Sequence, residues 1–289
     1  MTAPPVTARR VLVEGVSTSF YEHGSGPAVL LVPGVASSPR DWFPVMRELG
    51  DTCRVLAPAL PGLGGTSPLP DVAPARVAGF LTAFLDTLGI DEVVAIGHSY
   101  GGLLVAELAL ARPGLVRRLV LVDACGLGRA AHPAAIALGL LPARAADLLS
   151  VVTSLPGSEI PLTLSSVLLL RQPWQVPPST WLAQARLLRS RRVVRTTLEV
   201  FRACADATGQ RRSILITDRL PLIDVPALVV WGAADPLFPV WQGWAAARGL
   251  PAGRFVLLAG AGHVSYLDRH TEFMDAVGPF VRDSADRLP

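Results

Sequence analysis

The stretch Val93-Val-Ala-Ile-Gly-His-Ser-Tyr-Gly-Gly102 decides the predicted fold of this 289-residue chain. Its apolar, β-branched start, Val93–Ile96, predicts a buried strand, and the small residues of Gly101–Ala111 predict a helix. Between them lies a G-x-S-x-G pattern with Ser99 at its centre. In a strand–turn–helix context this pattern is a nucleophile elbow, whose glycines allow a strained turn that exposes the serine hydroxyl. Ser99 is therefore a candidate nucleophile.

Alternating strand and helix patterns on both sides of this stretch predict a doubly wound α/β fold, a mostly parallel twisted sheet flanked by helices. The predicted strands are Arg10–Glu14, Thr18–Glu22, Ala28–Val32, Arg54–Ala57, Val93–Ile96, Leu119–Val122, Ala227–Trp231 and Arg254–Leu258. The predicted helices are Ala75–Leu88, Gly101–Ala111, Val240–Arg248 and Thr271–Val281.

This alternation stops between Gly128 and Leu220, where helical segments rich in Leu, Ala and Arg are punctuated by proline and no strand is predicted. We therefore expect a core domain formed by residues 1–127 and 221–289, with residues 128–220 inserted as a helical cap. Ligands of such sheets bind outside the carboxyl ends of the strands, so the cap is expected to cover the site.

The composition raises the question of a membrane segment, because the mean hydropathy is +0.43 and 51% of the residues are hydrophobic. The most apolar window, Ala134–Val152, is interrupted by Pro142, Arg144 and Asp147, so no transmembrane segment is predicted. Met1–Arg10 lacks the apolar region of a signal peptide. A cytoplasmic location is therefore expected.

The residues that are missing exclude several classes of protein. The chain contains no lysine, which excludes a P-loop nucleotide site and a pyridoxal-phosphate Schiff base. The cysteines Cys53, Cys125 and Cys204 form neither a disulfide framework nor a metal pair, and no metal or cofactor is expected. A net charge of +3 without a basic, aromatic-interleaved stripe indicates no nucleic-acid partner.

A serine nucleophile needs a base that is held in place by a carboxylate. His263 follows the last predicted strand in the glycine-rich loop Ala259-Gly-Ala-Gly-His263, and Asp235 follows the preceding strand. The order Ser99, Asp235, His263 is the chain order of a nucleophile-elbow triad. Asp123, after the predicted strand Leu119–Val122, is the alternative carboxylate.

An oxyanion hole is expected from two backbone N–H groups, one of them following the nucleophile. Tyr100 holds that position, and Val35, in the loop after Ala28–Val32, is the expected second donor.

Together these motifs resemble those of the cap-bearing esterases, lipases and C–C bond hydrolases of the α/β-hydrolase-fold superfamily. The resemblance covers Leu12–Gly126 and Asp224–Val281. The motifs that carry it are Pro33-Gly34, Leu60-Pro-Gly-Leu-Gly64, Gly97-His-Ser-Tyr-Gly-Gly102, Gly232-x-x-Asp235 and Gly262-His263.

The sequence departs from the family pattern at two positions. The family usually has His at Pro33 and Asp at Ala59, which affects the oxyanion loop rather than the triad. Related epoxide hydrolases and haloalkane dehalogenases use Asp at the elbow, so Ser99 argues against both.

The resemblance implies a serine hydrolase, without cofactor, that cleaves a small-molecule ester with an apolar acyl or alcohol part. A C–C bond hydrolase, lyase or perhydrolase with the same triad remains an alternative, as does a ligand sensor. The oligomeric state is left open. Six further residues are predicted to contact the substrate: Gly34, Ala36, His98, Trp174, Phe238 and Val264.

The predicted cap is basic and apolar, with 12 arginines against five acidic residues. Arg186, Arg189, Arg191, Arg192 and Arg195 are predicted to lie in one helical stretch. Three interpretations remain open: a solvated helix face, steering of an anionic substrate, and contact with anionic lipid or an acyl carrier. The apolar residues of this segment, Ser166–Leu170, Trp174 and Trp181, predict a hydrophobic substrate channel or a packed core.

Overall fold

A computed structural model describes residues 5–282, without the side chains of Glu159, Leu162 and Ser165. Residues 1–4 and 283–289 of the predicted core domain lie outside the described residues. Eight strands form one sheet in the order β1-β2-β4-β3-β5-β6-β9-β10. Their bounds are β1 Thr7–Val13, β2 Val16–His23, β3 Ala28–Val32, β4 Arg54–Pro58, β5 Val93–His98, β6 Val116–Val122, β9 Ala227–Gly232 and β10 Gly253–Leu258.

Only β2 pairs antiparallel with its neighbours, β1 and β4, and every other neighbouring pair in this sheet is parallel. The central parallel strands β5 and β9 are buried on both faces, which explains their nearly continuous apolar sequences, whereas the edge strand β10 is partly exposed. The fold class is therefore confirmed. The predicted strand over Leu119–Val122 is too short, because β6 also includes Arg118, whose guanidinium lies over the Phe280 ring at 5.3 Å.

Helices cover both faces of the sheet and create two cores, because successive residues of a strand point to opposite faces. Leu30 and Val32 pack with α2 and α3, whereas Val29 and Leu31 pack with α1 and α11. The helices of the two layers are α1 Phe43–Leu49, α2 Pro74–Thr87, α3 Tyr100–Ala111, α9 Val240–Gly249, α10 Ser265–Asp268 and α11 His270–Arg282.

The segment between β6 and β9 is helical, and residues 128–220 are called the helical insertion below. Its helices α7 and α8 pack against each other, α6 packs on α7, and α4 and α5 pack on α8. Their bounds are α4 Pro133–Leu140, α5 Ala143–Val152, α6 Glu159–Val167, α7 Pro178–Leu188 and α8 Arg191–Cys204.

Two sequence predictions for the insertion are wrong. The five arginines do not share one helix, because α7 ends at Leu188 and Ser190 has extended dihedrals (φ −79°, ψ 115°) before α8. The insertion also contains a two-stranded hairpin, β7 Ala205–Asp206 and β8 Gly209–Gln210. The Gln210 side chain ties this hairpin to the core, since its Oε1 accepts a hydrogen bond from the Gly126 N–H at 2.6 Å.

None of the described helices is by itself long and apolar enough to span a membrane. Only α4 and α5 taken together reach that length and hydropathy, and the pair is bent by 107°. Within residues 5–282, no three His, Cys, Asp or Glu side chains are grouped as metal ligands would be.

Candidate active site

The turn between β5 and α3 holds Ser99 in a backbone conformation that is rare for a residue with a side chain (φ 53°, ψ −119°). Glycine is required on both sides of it. A Cβ at Gly97 would lie 2.2 Å from the Gly101 carbonyl oxygen, and a Cβ at Gly101 would lie 2.3 Å from the Val32 carbonyl oxygen. The close packing of β3, β5 and α3 therefore explains why the sequence has glycine at both positions.

The three residues predicted as a triad lie in one hydrogen-bonded row. His263 Nε2 is 3.0 Å from the Ser99 hydroxyl oxygen, and His263 Nδ1 is 2.9 Å from Asp235 Oδ2. The other carboxylate oxygen of Asp235 accepts hydrogen bonds from the backbone N–H groups of Leu237 and Phe238 at 2.7 and 3.1 Å. Asp235 is thus held with one oxygen directed at the imidazole.

Asp123, the alternative carboxylate, makes no hydrogen bond to His263 among the described contacts. Its two oxygens accept from the backbone N–H groups of Gly232, at 2.7 Å, and Ser265, at 3.2 Å. Burial, followed by the nearby Asp235 carboxylate, raises the pKa of Asp123 to about 8. Asp123 therefore joins the two loops that carry Asp235 and His263.

The pKa values of the two buried histidines of the site are shifted in opposite directions. Burial opposes a charged imidazole at His263, yet the charge and hydrogen bond of Asp235 outweigh it and raise the pKa of His263 above its usual value. Burial, followed by the charge of His263, lowers the pKa of His98 to about 3. His98 is thus neutral near pH 7, and its Nε2–H donates to the His263 carbonyl oxygen at 2.8 Å.

The loop after β3 passes close to the elbow. A Cβ at Gly34 would lie 3.0 Å from His98 Nδ1 and 3.1 Å from the Ser99 Cβ, so a side chain here would crowd the site. Ala36 has a positive φ of 58°, and its carbonyl oxygen accepts a hydrogen bond from the Gln184 side chain of α7 at 2.8 Å. The insertion therefore fixes the loop that carries Val35.

Residues 29–276 match the sequence profile of the alpha/beta hydrolase family. This chain is an alpha/beta hydrolase. An uncharacterized protein of Mycobacterium tuberculosis is 30% identical over 297 residues, covering 96% of this chain and 82% of that protein. The predicted family resemblance is thereby confirmed.

Two solved structures share the fold of this alpha/beta hydrolase. An esterase from Thermogutta terrifontis is 21% identical, with a TM-score of 0.74, covering 96% of this chain and 98% of that one. The 2-hydroxy-6-oxo-6-phenylhexa-2,4-dienoate hydrolase from a Rhodococcus strain is 20% identical, with a TM-score of 0.78 and coverages of 96% and 97%. The fold of this chain is thus shared by an esterase and by a dienoate hydrolase.

A cavity of about 150 Å³ lies over Ser99 and His263 in this alpha/beta hydrolase. Residues from both the sheet edge and the insertion enclose it, and most are apolar. The predicted residues that line it are Val35, Ala36, His98, Ser99, Tyr100, Phe238, His263 and Val264. The lining residues that sequence reasoning did not single out for this site include Cys125, Ala131, Ala135, Leu169, Val200, Phe201, Cys204, Gln210 and Leu237.

Trp174 does not line this cavity, which corrects the predicted substrate contact. It lies in a short 3-10 helix, Pro173–Gln175, and its side chain is 74% exposed. Trp181 lies differently, because it lines a second cavity of about 90 Å³ that shares Val35 and Val264 with the first. Of the two tryptophans for which a hydrophobic channel was predicted, only Trp181 lines one of these two cavities.

Leu169 of the insertion contacts the backbone of His263. Its carbonyl oxygen accepts a hydrogen bond from the backbone N–H of His263 at 2.7 Å. The insertion thus positions the histidine loop as well as enclosing the cavity. No sequence motif marks this contact, because any residue type offers a carbonyl oxygen.

Proposed function

We propose that this protein hydrolyses neutral carboxylic esters with a short apolar acyl group, by way of an acyl-enzyme on Ser99. The observation that carries the proposal is the hydrogen-bonded row of Ser99, His263 and Asp235, whose first two members line an apolar cavity. A buried serine whose hydroxyl is hydrogen-bonded to a carboxylate-held imidazole is the arrangement that activates an oxygen nucleophile.

Acylation begins when the Ser99 oxygen attacks the ester carbonyl while His263 Nε2 takes the hydroxyl proton. Asp235 holds the Nδ1–H tautomer and stabilises the imidazolium that forms. The N–H groups of Val35 and Tyr100 then donate to the oxyanion, a contribution of about 3–4 kcal/mol per donor. Tyr100 suits this role, since it is the first residue of α3 and its N–H has no acceptor within the helix.

The tetrahedral intermediate collapses when the C–O bond to the alcohol breaks and His263 gives its proton to the leaving oxygen. Water then attacks the acyl carbonyl of the Ser99 ester while His263 takes a proton from the water. The second tetrahedral intermediate collapses when the bond to the Ser99 oxygen breaks and His263 returns the proton to that oxygen, which releases the carboxylic acid. His98 stays neutral, so no second positive charge lies beside His263 when the His263 imidazole is protonated.

The lining of the cavities favours a neutral ester over the dienoate named for the Rhodococcus hydrolase. A dienoate carries a carboxylate, which is costly to bury unless a cation pairs with it. Neither described cavity beside Ser99 is lined by an arginine, and the chain contains no lysine. The second cavity is instead lined by Asp41, whose carboxyl cannot supply the positive charge that would offset burial of a substrate carboxylate.

We expect the chain-length optimum to fall at p-nitrophenyl butyrate or hexanoate. An apolar cavity of ~150 Å³ accommodates a benzene-sized group, and forcing a longer chain into it costs about 1–3 kcal/mol. The kcat/KM for palmitate should therefore be roughly tenfold or more below that for butyrate. Initial rates across a series from acetate to palmitate measure this.

A cavity-filling variant provides the matched control for chain length. Ala131 lines the cavity, so Ala131→Leu should move the optimum toward acetate without loss of acetate turnover. An optimum at palmitate in both proteins would contradict the size assigned to the acyl site.

Turnover of a dienoate or of hydrogen peroxide with every ester inert would favour the C–C hydrolase or perhydrolase alternative. A single slow acylation with tight retention of the ligand would favour the sensor.

The pH dependence should follow His263. Acylation needs a neutral imidazole, and Asp235 raises the pKa of His263 despite its burial. The kcat/KM should therefore fall as the pH drops through a midpoint above 6.5, the usual imidazole value. A pH profile with p-nitrophenyl butyrate checks this, and an acid midpoint below 6.5 would contradict the assigned role of Asp235.

A further inference from the structure

Exposed apolar side chains are concentrated in one part of the helical insertion. Of the 15 large hydrophobic side chains that are exposed among the described residues, ten lie between residues 140 and 182. The whole chain has 289 residues, so this segment is strongly enriched. Large exposed apolar patches on a folded protein mark sites of interaction.

Five of these ten side chains form stripes on the solvent sides of two helices. Leu148, Val151 and Val152 are exposed on α5, and Ile160 and Leu164 are exposed on α6. Spacings of three and four residues place side chains on one face of a helix. The inner sides of α5 and α6 pack against α8 and α7, so both stripes face outward. These two stripes are called the apolar face below.

Arginines border the apolar face. Arg144 is exposed on α5, four residues before Leu148, and Arg186 and Arg191 are exposed on the neighbouring helices α7 and α8. Asp147 of α5 lies 3.6 Å from Arg195, which also pairs with Glu199 at 3.3 Å, so this arginine offsets part of the charge of both carboxylates. With 12 arginines against five acidic residues, the insertion combines apolar side chains with an excess of positive charge.

We propose that the apolar face binds the surface of an anionic lipid bilayer. Aliphatic side chains on one side of surface helices enter the boundary between headgroups and acyl chains, while flanking arginines attract the anionic headgroups. Tight protein interfaces are instead enriched in Trp, Tyr and Arg anchors, whereas the five side chains of the apolar face are all Leu, Ile or Val. A second copy of this chain fits poorly, because the same contact would bring two basic surfaces together.

The apolar face continues toward the cavity. Leu168, just after α6, is exposed, whereas the next residue, Leu169, lines the cavity over Ser99, and Leu170 lines the second cavity. A bilayer bound at α6 would therefore contact a segment whose next residues line both cavities. The binding inference stands independently of the proposed ester hydrolysis, since it rests on surface residues alone.

Flotation of the full chain with vesicles tests the inference. The chain should float with vesicles of phosphatidylcholine and phosphatidylglycerol, and much less with phosphatidylcholine alone or at high salt. The pair Leu148→Ser and Leu164→Ser should lower the partition coefficient about tenfold or more, because both side chains leave the acyl boundary. The pair Arg186→Gln and Arg191→Gln should lower it about fivefold per arginine.

The matched control is Leu12→Ser with Leu257→Ser, which removes two exposed leucines outside the insertion. This control should bind vesicles as the wild type does. The inference would be overturned if the Leu148→Ser, Leu164→Ser pair and the control pair bound vesicles equally well. It would also be overturned if the wild type bound equally well with and without phosphatidylglycerol. A wild-type dimer, in sedimentation velocity, that Leu148→Ser and Leu164→Ser dissociate would likewise overturn it, since a second copy would then cover the apolar face. Melting temperature and p-nitrophenyl butyrate hydrolysis verify that each variant is folded.

Discussion

Replacing Ser99 with alanine should lower kcat for p-nitrophenyl butyrate by about 10⁶-fold, the loss expected when the nucleophile of a serine triad is removed. The hydroxyl that His263 Nε2 contacts at 3.0 Å is then gone, and no acyl-enzyme forms. Alanine keeps the Cβ of the elbow residue, so the turn and its packing should be unchanged. Initial rates over a range of ester concentrations give the comparison.

Ser37→Ala is the matched control for this substitution. Ser37 lines the same cavity but makes no described contact with His263, so its kcat should stay within a few-fold of the wild type. Melting temperatures of both variants should match that of the wild type. If Ser99→Ala turned over ester at the wild-type rate, Ser99 would not carry the reaction, and the sensor or lyase alternative would take its place.

Asp235→Asn should lower kcat by about 10⁴-fold, as removal of the orienting carboxylate does in other serine triads. Asp235 Oδ2 lies 2.9 Å from His263 Nδ1, and an amide NH₂ there would favour the wrong imidazole tautomer. The amide oxygen still accepts from the Leu237 and Phe238 N–H groups, so the loop should keep its shape. Steady-state kinetics measure the loss of catalysis, and the melting temperature shows whether the fold is retained.

Asp123→Asn provides the contrast, because both aspartate side chains are fully buried but Asp123 accepts its described hydrogen bonds only from backbone N–H groups. An amide satisfies one of them and faces the other with its NH₂, so the main cost should be stability, about 1–3 kcal/mol. We expect kcat to change far less than in Asp235→Asn. The reverse ranking of the two variants would assign the orienting role to Asp123.

The positions of the three polar residues were predictable from sequence because each follows a strand of a parallel sheet. The carboxyl ends of parallel strands meet at one edge, so Ser99 after β5, Asp235 after β9 and His263 after β10 converge there. The glycines of the elbow are equally informative, since backbone atoms lie where a side chain at Gly97 or Gly101 would be.

The contribution of the insertion was not predictable, because its contacts depend on which side of each helix faces the core. Trp174 and Trp181 are both apolar residues of short helical segments, yet only Trp181 lines a cavity. The break at Ser190 between α7 and α8 could not be predicted, because the surrounding arginine-rich sequence contains no proline or glycine to mark a helix end. The hydrogen bond from His263 to the Leu169 carbonyl involves only backbone atoms and leaves no trace in the sequence.

Locating the adduct of a fluorophosphonate by peptide mass spectrometry tests the central claim most directly. Such a probe reacts only with a serine oxygen that a neighbouring base activates, and it stays attached because the adduct resists hydrolysis. We predict one adduct per chain, on Ser99, formed more slowly in the presence of p-nitrophenyl butyrate and at least about 10³-fold more slowly in His263→Ala. An adduct on another residue, or labelling of Ser99 that is unaffected by His263→Ala, would contradict the proposed mechanism.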